Sequence, residues 1–213
     1  MRFLRRTPIP ASVSMPSAWR RHGIRLIAFA VVLIGLAWAR SIPPAPIRES
    51  DRARYHDRSF AVLRIIDGDT LDILAPDGDK PATRIRLWGV DTPETGHGDR
   101  PAMYFGAEAA DFARQMLEGQ QVHIVLSPKR SRDRFDRLLA YVFLERGGTM
   151  FNEQLLEAGY AYADPRFDHH YEDRFEALEK EARRDSRGMW KAITLEGMPD
   201  WRRRAEQWRA DRE

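Results

Sequence analysis

Five short runs of β-type residues, with one helical repeat between the third and fourth and two more after the fifth, predict an α+β fold. The expected architecture is a five-stranded, OB-type Greek-key β-barrel with three packed helices, preceded by an N-terminal hydrophobic leader or anchor. The chain has 213 residues and no cysteine. That length suits one compact domain with appendages. The missing cysteine excludes disulfides, thiolate metal sites and cysteine nucleophiles together.

Phe60–Ile66, Leu71–Ala75 and Ala82–Val90 read as three strands of a meander, with Pro76-Asp-Gly-Asp-Lys80 as the turn between the second and third. Phe105, Ala109, Phe112 and Met116 then recur at helical spacing, and Gly119 stops them. Val122, Ile124 and Leu126 alternate as a fourth strand, a basic loop follows over 127–136, and Leu138–Leu144 is the fifth strand, closed by Gly147-Gly148. A short helix over 152–158 and a longer one with Tyr171, Phe175, Leu178 and Ala182 on one face complete the set, ending at Gly188. The domain is expected over 59–190. Residues 40–58, rich in Pro and charge without periodicity, read as a disordered linker. Residues 191–213 form a C-terminal extension, with Asp200 a candidate N-cap and Trp201–Arg212 a charged amphipathic helix.

Residues 1–39 carry six arginines and no acid, so 29 of the 35 basic side chains remain to face all 32 acids, and the formal charge of +3 becomes −3 beyond the leader. A polyanion site must then be a local cluster of arginines, because the field of the whole domain does not attract nucleic acid. The apolar run Leu26–Ala39 is shorter than the roughly 18 to 20 residues that span a bilayer, and Ala37-Trp-Ala39 offers a small-x-small cleavage pattern. The expectation is export, with the N-terminus engaging the membrane or the export machinery and the mature chain secreted or periplasmic. A retained short anchor with the domain outside the cytoplasm is the alternative, and Met15 would start a leader of ordinary length.

Four elements carry candidate chemistry. Asp67-Gly-Asp69-Thr70 is first a hairpin signal, but it also presents the Asp69 carboxylate at a tight turn. Asp91-Thr-Pro-Glu94 resembles a helix start, yet a meander brings Asp91 toward Asp69. Two carboxylates, a backbone carbonyl and waters make a hard-oxygen site suited to calcium and less well to magnesium, with Glu94 placed to orient a water beside the metal. Period-two alternation puts Ile85 and Leu87 on one strand face and Arg86 on the other, near the acidic pair. Arg137, at the mouth of the fifth strand, can grip two phosphate oxygens at once.

Ile65-Ile-Asp-Gly-Asp-Thr70, Arg86-Leu-Trp-Gly-Val-Asp-Thr-Pro-Glu94, Asp133–Tyr141 and Arg187-Gly-Met-Trp190 together closely resemble the signature blocks of the thermonuclease (staphylococcal nuclease) family, over residues 59–190. The resemblance implies a phosphodiesterase acting on DNA and RNA. It further implies calcium held by Asp69, Asp91 and the Thr92 backbone carbonyl, Glu94 acting on the attacking water, and Arg86 and Arg137 holding the scissile phosphate. The loop residues Arg134 and Phe135 would contact substrate.

Phe135 stands where the family often has a tyrosine, and Asp136 replaces a glycine beside Arg137. The expectation is that Asp136 partly satisfies Arg137 and weakens phosphate binding. A second family tyrosine has no clear counterpart in Tyr160-Ala-Tyr162-Ala-Asp-Pro165. His97, His169 and His170 lack metal-ligand spacing and are expected at the surface. The rival readings are a non-catalytic OB-fold module for single-stranded nucleic acid, against which the intact acidic set counts, and a membrane-anchored adaptor using the C-terminal helix. No protein partner is inferable, and a monomer is expected.

Overall fold

The computed structural model describes residues 49–211, apart from 97 and 100. The leader, most of the expected linker, His97 and the end of the C-terminal helix at Arg212 lie outside the described residues. Helix α1 (Glu49–Tyr55) leads into β1 (Arg58–Asp67), β2 (Thr70–Ile73) and β3 (Thr83–Leu87), followed by a two-residue strand β4 (Val90–Asp91). Helix α2 (Gly106–Leu117), β5 (Gln121–Leu126), β6 (Leu138–Phe143), α3 (Phe151–Glu157), β7 (Tyr162–Ala163) and α4 (Glu172–Arg184) come next. Two 3₁₀ turns and helix α5 (Asp200–Ala210) end the chain. No helix among the described residues is long and apolar enough to cross a membrane.

The five long strands close into a barrel in the order β1-β2-β3-β6-β5, with β3 and β6 parallel and the other neighbours antiparallel. This is the expected α+β, OB-type Greek-key barrel. The core is built from alternating strand residues such as Val62, Leu71, Ile73, Ile85, Leu87, Ile124, Leu138 and Val142, capped by Phe151, Leu155 and Phe175 from α3 and α4. Burying apolar side chains on this scale is the dominant driving force for folding.

The structure departs from the sequence reading at three places. The segment Ala82–Val90 is two strands, because Gly89 takes a left-handed backbone with φ 80° and turns the chain out of the barrel. A Cβ at Gly89 would sit 2.6 Å from the His169 ring, so the turn packs directly on that imidazole. His169 is consequently buried among Tyr141 and Phe175, against the surface position expected for it.

The described end of the expected linker is the ordered helix α1. Asp51 accepts two hydrogen bonds from the Arg132 guanidinium, at 2.9 and 2.8 Å, and one from Ser131 at 2.7 Å. Arg132 also bonds Asp77 at 2.6 and 3.0 Å, so a buried acid-arginine-acid joint ties α1 to the turn before β3 and to the basic loop. The C-terminal extension likewise folds back, since the buried Arg202 of α5 pairs with the buried Glu179 of α4.

Candidate active site

Antiparallel pairing sets Thr70 of β2 opposite Arg86 of β3, so the Asp67-Gly-Asp69 turn and Arg86 share one end of the barrel. A Cβ at Gly68 would meet Thr92 at 2.8 Å, and only a bare Cα lets this turn lie on the segment after β4. That contact allows the Thr92 amide to donate to Asp69 Oδ2 at 2.8 Å. Asp69 is 1% exposed; its Oδ1 accepts from Thr70 Oγ1 at 3.1 Å and pairs with Arg86 Nη1. The other end of the same guanidinium pairs with Asp91 Oδ1. One arginine therefore bridges the two carboxylates expected to hold a metal.

Asp91 owes its place to β4, which pairs with β7 through Val90 to Ala163 and Asp91 to Tyr162. Its second oxygen, Oδ2, accepts the Trp201 indole N–H at 2.7 Å and lies 3.2 Å from Arg166. Glu94 stands exposed at the rim, its segment pinned where the Met103 amide donates to the Glu94 carbonyl at 2.9 Å. The surrounding protein, then the charges of Asp67 and Asp91, push the Glu94 carboxyl above its ordinary value against the pull of Arg86 and Arg137. Asp67 is likewise raised, by burial first. Its Oδ1 accepts the Asp69 amide at 3.1 Å and braces the turn.

Arg137 faces this group from the end of the loop just before β6, with Nη1 3.5 Å from Thr70 Oγ1. Its guanidinium is held by Asp133, with Nε donating to Oδ2 at 2.7 Å, and the Asp133 carboxylate also accepts the Arg137 and Phe135 amides. The carboxylate expected to engage Arg137 was Asp136. The structure instead puts Asp133 on Arg137, while Asp136 gives its carbonyl to Arg132 at 3.0 Å and brings its carboxylate within 3.6 Å of the same guanidinium. Phe135 is 63% exposed, with Arg134 and Arg137 standing 4.7 and 5.4 Å from its ring centroid.

Of the site residues expected from the sequence, Arg86, Asp91, Glu94, Arg134, Phe135 and Arg137 line one cleft of about 650 Å³, together with Asp67 and Asp133, whereas Asp69 and Thr92 are buried outside its lining. The cleft also contains side chains that sequence reasoning missed: Trp88, Arg130, Asp164, Arg166 and Phe167. Arg130 lies 4.9 Å from the Trp88 ring and 4.8 Å from that of Phe167. Just after Tyr160–Pro165, the segment without a clear counterpart of the second tyrosine, the chain thus supplies an arginine and an aromatic ring to the cleft. Arginines interleaved with carboxylates along one cleft suit a polyanion that is to be hydrolysed beside a cation.

Among the described residues no three His, Asp or Glu side chains converge on one point. Two carboxylates, Asp69 and Asp91, meet on the Arg86 guanidinium, and both offer the oxygen that a hard cation with several retained waters takes. Burial raises both the Asp67 and the Glu94 carboxyls, and at Glu94 the charges of Asp67 and Asp91 add to it, a repulsion that a cation would relieve.

Known proteins carry the same pattern. Residues 84–192 match the model of the family described as staphylococcal nuclease homologue. The thermonuclease of Staphylococcus hyicus is 32% identical over 169 residues, covering 79% of this chain and 95% of that one. The thermonuclease of Staphylococcus intermedius is 34% identical over 170 residues, with the same coverage. Endonuclease YhcR of Bacillus subtilis (strain 168) is 31% identical over 137 residues, 61% of this chain and 11% of that larger protein. The chain belongs to the staphylococcal nuclease homologue family and is a nuclease, a hydrolase of phosphodiester bonds.

Proposed function

We propose that this nuclease is calcium-dependent, cleaves both DNA and RNA, and works outside the cytoplasm, secreted, periplasmic or anchored by its leader. The observation that carries the metal reading is the bridging of Asp69 and Asp91 by the single guanidinium of Arg86, which lines the cleft. Asp69, Asp91 and the Thr92 carbonyl would hold the ion. Bound there, calcium would supply Lewis-acid stabilisation of charge on the phosphoryl oxygens and a template for the substrate.

The chain's own residues supply the rest. Glu94, at the rim beside the acidic pair, would orient the attacking water and accept its proton, a role its raised affinity for a proton favours. Arg86 from β3 and Arg137 from the loop before β6 would clamp the phosphate, stabilising the pentacoordinate charge as it develops. Arg134 and Phe135, exposed on the loop, would meet the flanking nucleotides. Neither base edges nor a 2′-hydroxyl has an evident reader among these groups, so both nucleic acids fit.

The test is incubation of the purified chain with single- and double-stranded DNA and RNA, with calcium or with excess chelator. Cleavage of both polymers is expected in calcium and none in chelator. Full activity in chelator, or strict dependence on zinc, would refute the metal reading, and inertness toward RNA would refute the breadth of substrate.

A further inference from the structure

We propose that Trp201, in the C-terminal helix, is a positioning residue for the metal-binding carboxylate of Asp91. The inference rests on the calcium reading above and assigns the C-terminal extension to the site itself. The Trp201 indole donates to Asp91 Oδ2 at 2.7 Å across 110 residues of sequence, while Oδ1 is turned to Arg86. An indole N–H is a donor only and does not ionise over the range in which proteins fold. It therefore holds one oxygen of Asp91 at any working pH and leaves the other on the side of Asp69.

The donor is itself fixed from three sides. The Trp201 ring meets Tyr162 edge-on at 6.2 Å, and Tyr162 is the residue paired with Asp91 between β4 and β7. Arg166 covers the ring at 4.3 Å, reaches Asp91 at 3.2 Å, and is clamped by Asp164 through two bonds of 2.7 Å. The next residue of the helix, Arg202, is buried on Glu179, whose other oxygen accepts the Ala163 amide of β7 at 2.7 Å. Helix α5, helix α4 and the strand pair that carries Asp91 thus form one joint. Groups that orient a metal ligand from behind typically account for about 10- to 100-fold in metal affinity.

The experiment measures calcium affinity of the full chain by isothermal titration calorimetry, for the wild type and for Trp201→Phe, which keeps the ring and removes the donor. The expected result is a Kd for calcium weaker by about tenfold. A role confined to packing would instead lower the melting temperature in chelator and leave Kd unchanged, which would overturn the proposal. A measurement that needs no variant to fold is the ¹⁵N indole resonance of Trp201 in the wild type. It should move during the calcium titration along the same saturation curve, and a resonance that stays fixed to saturation would overturn the proposal. If the wild type takes up no calcium at millimolar concentration, the metal reading fails and the inference falls with it. A wild type that binds, beside a folded variant that binds equally well, sinks the inference alone.

Discussion

Two charge arrangements of opposite sense lie close together along β3, one at Arg84 and one at Arg86. Asp72 of β2 sits between Arg64 of β1 and Arg84 of β3, its direct neighbours in the sheet, with bonds of 2.8 Å from each Nε. Two residues beyond Arg84, Arg86 sits between Asp69 and Asp91. The first is an acid between two arginines that are 59% and 44% exposed, so water shares their charge. The second is an arginine between two acids, one of them fully buried. Extended through Arg166 to Asp164, it counts three acids against two arginines. The first array is satisfied within itself and belongs to the barrel wall. The second keeps an excess of negative charge beside a cleft, and that excess is what a cation can use.

Removing the central group should separate them most sharply. Arg86→Ala leaves the buried Asp69 without its counter-charge, and losing one partner of a buried pair costs about 3 to 5 kcal/mol. Urea unfolding should show that loss in chelator, and calcium should restore part of it by binding the folded state. Asp72→Asn leaves two solvated arginines and should cost less than about 1 kcal/mol. Equal losses in the two variants would mean that the arrays are alike and that the acidic one has no special place.

Next in size are the groups that act on the substrate at the acidic array. Glu94→Gln and Arg137→Ala should each lower kcat by about a hundredfold or more, as expected for a proton-transfer group and a preorganised donor. Circular dichroism should stay native, since neither side chain belongs to the hydrophobic core. Near-normal turnover in a folded variant would remove that residue from the mechanism.

The acidic array was largely legible in the sequence and the cleft around it was not. Asp69, Arg86, Asp91 and Glu94 stand in two short blocks whose residue types and alternation already bring them together. Trp88, Arg166 and Phe167 flank the β4–β7 pairing, a two-residue contact with no periodic signal, and Arg130 joins them from the basic loop by lying over the Trp88 and Phe167 rings. Helix α1 escaped notice because its seven residues are nearly all polar, and its anchor is Asp51 paired to Arg132, 81 residues away. His169 gave no sign of burial, since what encloses it is the turn at Gly89. Periodicity finds elements that bury an apolar face against the barrel. It does not find those held by an ion pair or a single indole donor.

The pH dependence of the satisfied array sharpens the contrast further. Burial alone would raise the Asp72 carboxyl, but the hydrogen bonds from Arg84 and Arg64 outweigh it and hold the group below its ordinary value. A carboxyl whose folded value is depressed contributes stability that is complete above its unfolded value, about pH 4, and drains away as pH falls through the folded value. Wild-type stability should therefore decline more steeply below about pH 4 than that of Asp72→Asn. Parallel decline of the two proteins, followed by urea unfolding at successive pH values, would show that Asp72 gains nothing from its arginines.

The smallest expected effect concerns Asp136, which adds one negative charge to the loop carrying Arg137. Its backbone is left-handed, with φ 63°, a conformation that costs an ordinary residue roughly 1 kcal/mol, aspartate less and glycine almost nothing. Its carbonyl bond to Arg132 is a main-chain contact that any residue can make. Its carboxylate lies 3.6 Å from Arg132 and is 47% exposed, so the ion pair is weak. In Asp136→Gly the relief of the backbone offsets the added freedom of the unfolded chain, and stability should stay within about 0.5 kcal/mol. Removing the charge should lower KM several-fold at low salt with kcat nearly constant, because the repulsion acts on bound substrate and transition state alike. The gain should fade as salt screens it. Asp136→Ala divides the two causes: alanine removes the same charge but gains nothing from the left-handed backbone. It should therefore lower KM equally while losing about 1 kcal/mol of stability. If only the glycine variant lowers KM, loop flexibility and not charge governs binding at this position. If both lose activity while folded, the Asp136 carboxylate is needed to hold the loop through Arg132, and Arg137 depends on that support.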